Sequence, residues 1–135
     1  MWVSRFAFWD LGFGIWGFSM ILCAIDDLLF SIKVSTAAKG LGVETYFERA
    51  ADKVVPRVRD KKPSLVIFDL NSSRLDPIRR IAEMKADPEL KSVRTLGYVS
   101  HVDAATVAAA RAAGIDEVLA RSAFSARLAD ILTSA

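Results

Sequence analysis

The chain has 135 residues, enough for one domain whose core buries roughly two-thirds of the unfolded surface. Hydrophobic residues make up 53% of it and charged residues 25%, and the net charge of +2 is too small to indicate nucleic acid or an anionic membrane. With one cysteine and one histidine, a single chain can form neither an internal disulfide nor a zinc site of the usual Cys/His kind. Cys23 stands in an apolar run and reads as a small buried thiol, which suits a reducing, cytoplasmic compartment.

Residues 1–19 form an aromatic-rich extension that holds all three tryptophans. Aromatic and apolar residues recur there at alternating steps of four and three, which would make one apolar stripe on a helix: Trp2, Phe6, Trp9, Phe13, Trp16 and Met20. The charge-free run 11–25 is shorter than the ~20 residues of a membrane helix, and the features of a secretory signal are missing. Three interpretations stay open: a start assigned upstream of the true one, a docking or dimerising helix, and a membrane anchor.

From residue 20 onward, short apolar runs alternate with amphipathic or alanine-rich stretches. The apolar runs predict five strands at 20–25, 43–47, 64–70, 95–100 and 116–120. The stretches after them predict helices at 28–40, 49–62, 76–87, 103–114 and 125–134. Gly40 and Gly114 close the first and fourth helices, Pro56 breaks or kinks the second, and Asp76–Pro77 opens the third as N-cap and first residue.

Strands that alternate with helices indicate an α/β domain with a parallel sheet and helices on both faces. The first, third and fourth strands are continuously apolar, as strands covered on both sides must be. No repeat or interdomain linker interrupts residues 20–135, so we predict a single domain there. In such sheets ligands bind beyond the carboxyl ends of the strands, which is where functional residues are expected.

Polar side chains stand at the carboxyl ends of four of these strands: Asp26, Asp27, Asp69, Ser100, His101 and Arg121. Neighbouring carboxylates repel unless a cation lies among them, and oxygen ligands with room for water suit Mg²⁺. A carboxylate beside a hard cation, a hydroxyl and a basic side chain suits phosphoryl transfer onto that carboxylate. The simpler alternatives are a helix cap or turn role for the acids, a turn for Ser100, a surface ion pair for Arg121 and a surface loop for His101.

These residues carry a resemblance to the receiver domains of two-component response regulators, which covers the chain from Met20 onward. "ILCAIDD" resembles the first strand with its acidic pair, and "LVIFD" resembles the third strand with the phospho-acceptor aspartate. "LGYVS" resembles the fourth strand that ends in Thr or Ser, and "AAGIDEVLARSAF" the fifth-strand region. The resemblance implies a flavodoxin-like, doubly wound, five-stranded sheet with strand order 2-1-3-4-5.

The resemblance also implies roles for individual residues. Asp69 would be the phospho-acceptor, Ser100 the switch hydroxyl, and Arg121 would stand where the family has lysine. Mg²⁺ would be bound at the acidic pair Asp26–Asp27, with Asp27 and Asp69 as direct ligands, joined by the backbone carbonyl of Asn71.

The sequence departs from the family in the residues that transmit the phosphorylation state. The usual Lys–Pro is Arg121–Ser122, with one extra residue before Phe124, and arginine presents a wider fork than an ammonium. The aromatic switch position on the fifth strand is Val118. The loop "LNSSRLDP" after Asp69 lacks the Met-Pro and Asp-Gly of the family. This combination is typical of atypical or pseudo-receivers.

We therefore expect a stand-alone cytoplasmic receiver, not a metabolic enzyme, that takes a phosphoryl group on Asp69 from a histidine kinase or phosphotransfer protein. It would act through contacts with a downstream protein, with homodimerisation left open and no nucleic acid or membrane partner. The first alternative is a pseudo-receiver that binds proteins without phosphorylation. The second is a small enzyme or nucleotide binder, against which the sequence argues because no glycine-rich phosphate loop follows any strand.

Overall fold

The computed structural model describes residues 19–101 and 103–135. Its five strands are β1 (Met20–Ala24), β2 (Glu44–Phe47), β3 (Leu65–Asp69), β4 (Arg94–Val99) and β5 (Glu117–Ala120). Its helices are α1 (Leu28–Leu41), α2 (Val54–Lys61) with a 3-10 turn before it (Ala51–Lys53), α3 (Pro77–Ala86), α4 (Ala104–Ala113), α5 (Arg121–Ala126) and α6 (Leu128–Thr133). Apart from Ser19, the aromatic-rich extension lies outside the described residues, so its interpretations stay predictions.

The five strands form one sheet in which every neighbouring pair is parallel, in the order β2-β1-β3-β4-β5. This confirms the predicted α/β, flavodoxin-like, doubly wound fold with strand order 2-1-3-4-5. The central strand β3 is buried along its whole length, as the apolar run that precedes Asp69 predicted. The order places the ends of β1, β3, β4 and β5 beside one another at the carboxyl edge of the sheet.

The core consists of two layers, one on each face of the sheet, because successive residues of a strand point to opposite sides. On β1, Ile21 and Cys23 face the layer covered by α1, α5 and α6, whereas Leu22 and Ala24 face the layer covered by α2, α3 and α4. Cys23 is fully buried, as predicted, and burial raises the pKa of its thiol far above the usual range. Cys23 is therefore an unreactive part of the core.

The first helix runs one residue past its predicted stop. Gly40 lies inside α1, and the helix closes at Gly42, which has a φ of +70°. The N–H of Gly42 donates to the carbonyls of Ala38 and Lys39 in a left-handed cap. Either glycine is a reasonable stop signal in the sequence, and the start of β2 at Glu44 selects the second.

Three other details of the predicted elements are corrected. Pro56 does not break α2, because the helix begins at Val54 and so Pro56 lies in the first turn, where backbone N–H groups have no helical acceptor. Asp76 precedes α3 as predicted, but it has a φ of +48° and its side chain makes no capping hydrogen bond. The last predicted helix is two short helices, α5 and α6, joined at Arg127.

None of the helices formed by residues 19–101 and 103–135 is long and apolar enough to cross a membrane.

Candidate functional site

Asp69 ends the central strand and is 9% exposed as a residue, whereas the side chains of Asp26 and Asp27 are 28% and 39% exposed. Its Oδ1 accepts a hydrogen bond from the N–H of Asn71 at 3.1 Å, two residues along the chain. Burial raises the pKa of Asp69, and the charges of Asp26 and Asp27 add to this effect, while the Asn71 N–H and the Arg121 guanidinium oppose it. A buried carboxylate with a raised pKa at the tip of a central strand is a functional-site candidate.

The two carboxylate oxygens of Asp27 contact different partners. Its Oδ1 accepts the N–H of Phe30 at 3.1 Å and so caps α1, and its Oδ2 lies 3.2 Å from Nη2 of Arg121. The backbone hydrogen bond from Phe30 has the largest effect and lowers the pKa of Asp27; burial opposes it, and the hydrogen bond and charge of the Arg121 guanidinium add to the lowering. The capping alternative from the sequence is therefore confirmed. It does not compete with a role at the carboxyl edge of the sheet, called the rim from here on, which carries Asp26, Asp27, Asp69, Ser100 and Arg121.

Asp26 pairs with a residue that the sequence did not single out. Its Oδ1 lies 3.2 Å from Nη1 of Arg74, which comes from the loop after β3. The Arg74 side chain is 70% exposed, so this ion pair contributes little to stability. Its consequence is local: the acid next to Asp27 already has a cationic partner.

Arg121, the first residue of α5, reaches back across the carboxyl edge of the sheet. Besides its ion pair with Asp27, its guanidinium carbon lies 4.2 Å from the ring centre of Phe30. An arginine fork stacks on an aromatic face more readily than an ammonium does, because its charge is planar and weakly hydrated. The arginine at this position therefore makes a second contact in this structure, with the ring of Phe30.

Ser100 and His101 follow β4 and are exposed. The N–H of Ser100 donates to Oδ1 of Asn71 at 2.5 Å, which ties the end of β4 to the loop that follows Asp69. Asn71 therefore contacts both strand ends, through its N–H to Asp69 and its side chain to Ser100. His101 remains a surface loop residue, as the simpler alternative predicted.

The residues at the rim fit a hard divalent cation by type, since carboxylate and carbonyl oxygens are the ligands that Mg²⁺ prefers. Their present partners are guanidinium groups, Arg74 for Asp26 and Arg121 for Asp27. Residues 19–101 and 103–135 contain no group of three acidic, histidine or cysteine side chains already placed to hold a metal. A divalent cation at this rim would therefore replace ion pairs that the chain supplies itself.

A groove of about 680 Å³ opens beside the rim, between the start of α1, the end of β4 and the start of α5. Phe30, Ser100 and Arg121 line it, so two of the predicted site residues face the same space. Leu29, on the first turn of α1, also lines the groove and has 79% of its surface exposed. The rim is therefore open to a large partner.

Three residues near the rim were missed by the sequence reasoning: Arg74, Phe30 and Tyr98. Tyr98 could have been found, because the predicted strand 95–100 places it two residues before Ser100, and alternate residues of a strand share a face. Phe30 could have been found from its place in the first turn of α1, three residues after the capping Asp27. Arg74 lies in an irregular loop, for which the sequence holds no periodic signal.

No family model matches this sequence, and no curated protein matches it either. Solved structures do. The phosphorylated cyanobacterial phytochrome response regulator RcpA has a TM-score of 0.72 at 18% identity, over 86% of this chain and 89% of its own. The Mn²⁺-bound form of response regulator Rcp1 has a TM-score of 0.70 at 20% identity, over 86% and 90%. The chemotaxis response regulator CheY4 of Vibrio cholerae has a TM-score of 0.74 at 14% identity, over 86% and 97%.

At these identities the likeness shows the fold. The chain is an α/β domain with the fold of response regulator receiver domains, as the resemblance in the sequence implied, and it spans nearly the full length of the structures it matches.

Proposed function

We propose that this domain is a phosphorylation switch in two-component signalling, with Asp69 as the phosphoryl acceptor. The observation that carries the proposal is the position of Asp69. Its carboxylate ends the central strand, largely buried, with its pKa raised by burial, and two further acids and the Arg121 cation act on it. The receiver fold of the chain supports the same reading.

In the transfer, an oxygen of the Asp69 carboxylate bonds to phosphorus while the P–N bond of a donor phosphohistidine breaks, and its electron pair goes to the imidazole. The Asn71 N–H holds the carboxylate in place, and the Arg121 guanidinium balances charge on the transferred group. The hydroxyl of the exposed Ser100 would donate a hydrogen bond to a phosphoryl oxygen. The donor would be a histidine kinase or a phosphotransfer protein.

Asp26, Asp27, Asp69 and the carbonyl of Asn71 would hold Mg²⁺, which spreads phosphoryl charge when bound. The Mn²⁺-bound state of Rcp1, a solved structure with this fold, supports a divalent cation in this role. The output would be a change in protein contacts rather than turnover of a metabolite, in the cytoplasm. As in the sequence reading, residues 1–19 would be a separate extension and residues 20–135 the receiver unit.

Labelling with acetyl phosphate tests the proposal. We expect Mg²⁺-dependent phosphorylation of the chain that disappears in Asp69→Asn and persists in Asp60→Asn, a matched change of an exposed acid on α2. The product would be an acid-stable, hydroxylamine-sensitive adduct at Asp69. Absence of labelling at millimolar donor concentrations would contradict the proposal.

The second candidate is a pseudo-receiver that binds proteins without phosphorylation. One observation favours it: both acids of the pair at the end of β1 already have guanidinium partners. A partner that binds the wild-type chain and Asp69→Asn with equal affinity would support this candidate.

A further inference from the structure

Tyr98 lies beside Asp69 in the sheet. The two residues are register partners on the parallel strands β4 and β3, and the N–H of Leu70 donates to the Tyr98 carbonyl at 3.0 Å. Register partners on neighbouring strands point their side chains to the same face, at Cβ separations of roughly 5 Å. The Tyr98 side chain therefore starts next to the carboxylate of Asp69.

Its ring belongs to an aromatic layer under the rim, formed by Phe30, Tyr98 and Phe124. The ring centre of Tyr98 lies 4.9 Å from that of Phe30 and 5.0 Å from that of Phe124, and Tyr98 is 1% exposed. Arg121 stacks on the Phe30 ring of this layer. The layer thus connects Asp69 on one strand with the cation of the rim on α5.

The hydroxyl of Tyr98 is the unusual part. It is buried and has no hydrogen-bond partner among residues 19–101 and 103–135. A buried hydroxyl without a partner costs free energy, whereas phenylalanine would fill the same layer without that cost. The residue that carries this free donor is the register partner of the proposed acceptor, Asp69.

We propose that Tyr98 is a positioning residue of the Asp69 site, whose hydroxyl donates a hydrogen bond to the Asp69 side chain when that side chain carries a phosphoryl group. The inference rests on the proposed function. Within the described part of the chain the hydroxyl has no partner to give up, so forming this bond breaks no other hydrogen bond there. The bond orients the acyl phosphate and makes the aromatic layer, and with it Arg121, sensitive to the state of Asp69.

The test compares thermal unfolding and ligand binding in wild type and Tyr98→Phe, with MgCl₂ and beryllofluoride as the probe of the loaded site. Without the probe, we expect Tyr98→Phe to melt at the wild-type temperature or above it, since it removes only a buried hydroxyl for which the described residues supply no partner. With the probe, we expect the half-saturating beryllofluoride concentration to rise about tenfold, the effect of one hydrogen bond to a charged group. Tyr46→Phe on the edge strand β2, the other tyrosine change that the sequence offers, removes a long hydrogen bond to Glu48 and should leave the half-saturating beryllofluoride concentration unchanged.

The two readouts separate the outcomes. If wild type does not bind the probe, the proposed function and this inference both fall. If wild type binds it in an Asp69-dependent way and Tyr98→Phe binds it equally well, this inference alone is overturned. A Tyr98→Phe variant that is destabilised to the same extent with and without the probe would also overturn it, because the hydroxyl would then have a constant structural partner.

Discussion

The acids of the rim and its cation–hydroxyl side are positioned in different ways. Asp27 and Asp69 are held by backbone N–H groups three and two residues along the chain. Arg121 is held by Asp27 and the ring of Phe30, both more than ninety residues away in sequence, and Ser100 by Asn71. The acid side is therefore built by local geometry and the other side by tertiary packing.

This difference has a functional meaning. A side built from local contacts keeps its shape when the rest of the fold changes, which suits a phosphoryl acceptor. A side built from packed aromatic rings and one ion pair can change when its partner changes, which suits a switch. Of the departures from the receiver pattern, only Arg121–Ser122 lies on this second side. Val118 packs in the layer covered by α2, α3 and α4, and the loop "LNSSRLDP" follows Asp69 on the acid side.

The largest effect on stability is expected from Phe124→Ala, which removes one ring of the aromatic layer formed by Phe30, Tyr98 and Phe124. Phe124 is fully buried and stacks on Tyr98, so we expect a loss of about 3–5 kcal/mol in the free energy of unfolding. Phe47→Ala, the same change at a partly buried position on the edge strand β2, should cost clearly less. Equilibrium denaturation in urea measures both, and equal losses would show that the aromatic layer contributes nothing special.

A smaller effect on stability is expected from Asp27→Ala, which removes one of the local contacts on the acid side of the rim. The change removes the cap of α1, and we expect a loss of about 1 kcal/mol in the free energy of unfolding. Asp26→Ala removes a neighbouring acid that caps no helix and should cost less than about 0.5 kcal/mol. Urea denaturation of the two variants side by side decides the point, and a larger cost for Asp26→Ala would contradict the assignment.

The pH dependence of stability in Asp69→Asn tests how the buried carboxylate on the acid side affects folding. Because burial raises the pKa of Asp69, the folded chain holds the proton more tightly than the unfolded chain. Ionisation therefore lowers stability as pH rises from the unfolded pKa through the folded one, and the full cost is present above the folded pKa.

We expect Asp69→Asn to melt a few degrees above wild type at pH 7, and the difference to vanish as pH falls below the unfolded pKa near 4. Melting curves across pH 3–8 measure this, with Asp60→Asn as the exposed control. A pH-independent difference would exclude the carboxylate charge as its cause.

The smallest effect on stability is expected from Arg74→Gln. The guanidinium is exposed, so the free energy of unfolding should change by less than about 0.5 kcal/mol. The affinity for Mg²⁺ should nevertheless rise several-fold, because Asp26 loses the cation that competes for it. Arg79→Gln, which breaks an ion pair of similar exposure on α3, is the matched control. Isothermal titration with MgCl₂ that shows no difference between the two variants would contradict the competition.

Much of the fold could be predicted because its signals are local. Continuous apolar runs marked the buried strands β1, β3 and β4, and the alternation with helices indicated a parallel sheet. The boundaries were less certain, since Gly40 and Gly42 are equally good stop signals and Pro56 is harmless only in the first turn of a helix. These choices depend on where the next element packs.

The residues of the candidate site likewise fall into those that local patterns predict and those that only tertiary contacts bring together. The acids could be placed at one edge because parallel strands bring their carboxyl ends together, and a motif resemblance named their roles. Arg74 could not be predicted, because an irregular loop leaves the direction of its side chains unspecified. The same holds for the stack of Arg121 on Phe30, which joins residues from opposite ends of the described chain.

The sequence by itself therefore determined the alternation of strands and helices, the acids at the carboxyl edge and the cap of α1, because each follows from patterns within a few residues. The strand order was implied by the resemblance to receiver domains. Only the tertiary structure decided which cations pair with those acids and which side chains form the aromatic layer. The physical reason is that such contacts depend on distance in space between segments far apart in sequence. Tyr98 is the clearest case: that its hydroxyl is buried without a partner among residues 19–101 and 103–135, beside Asp69, is known only from the pairing of β3 with β4 and the packing around them.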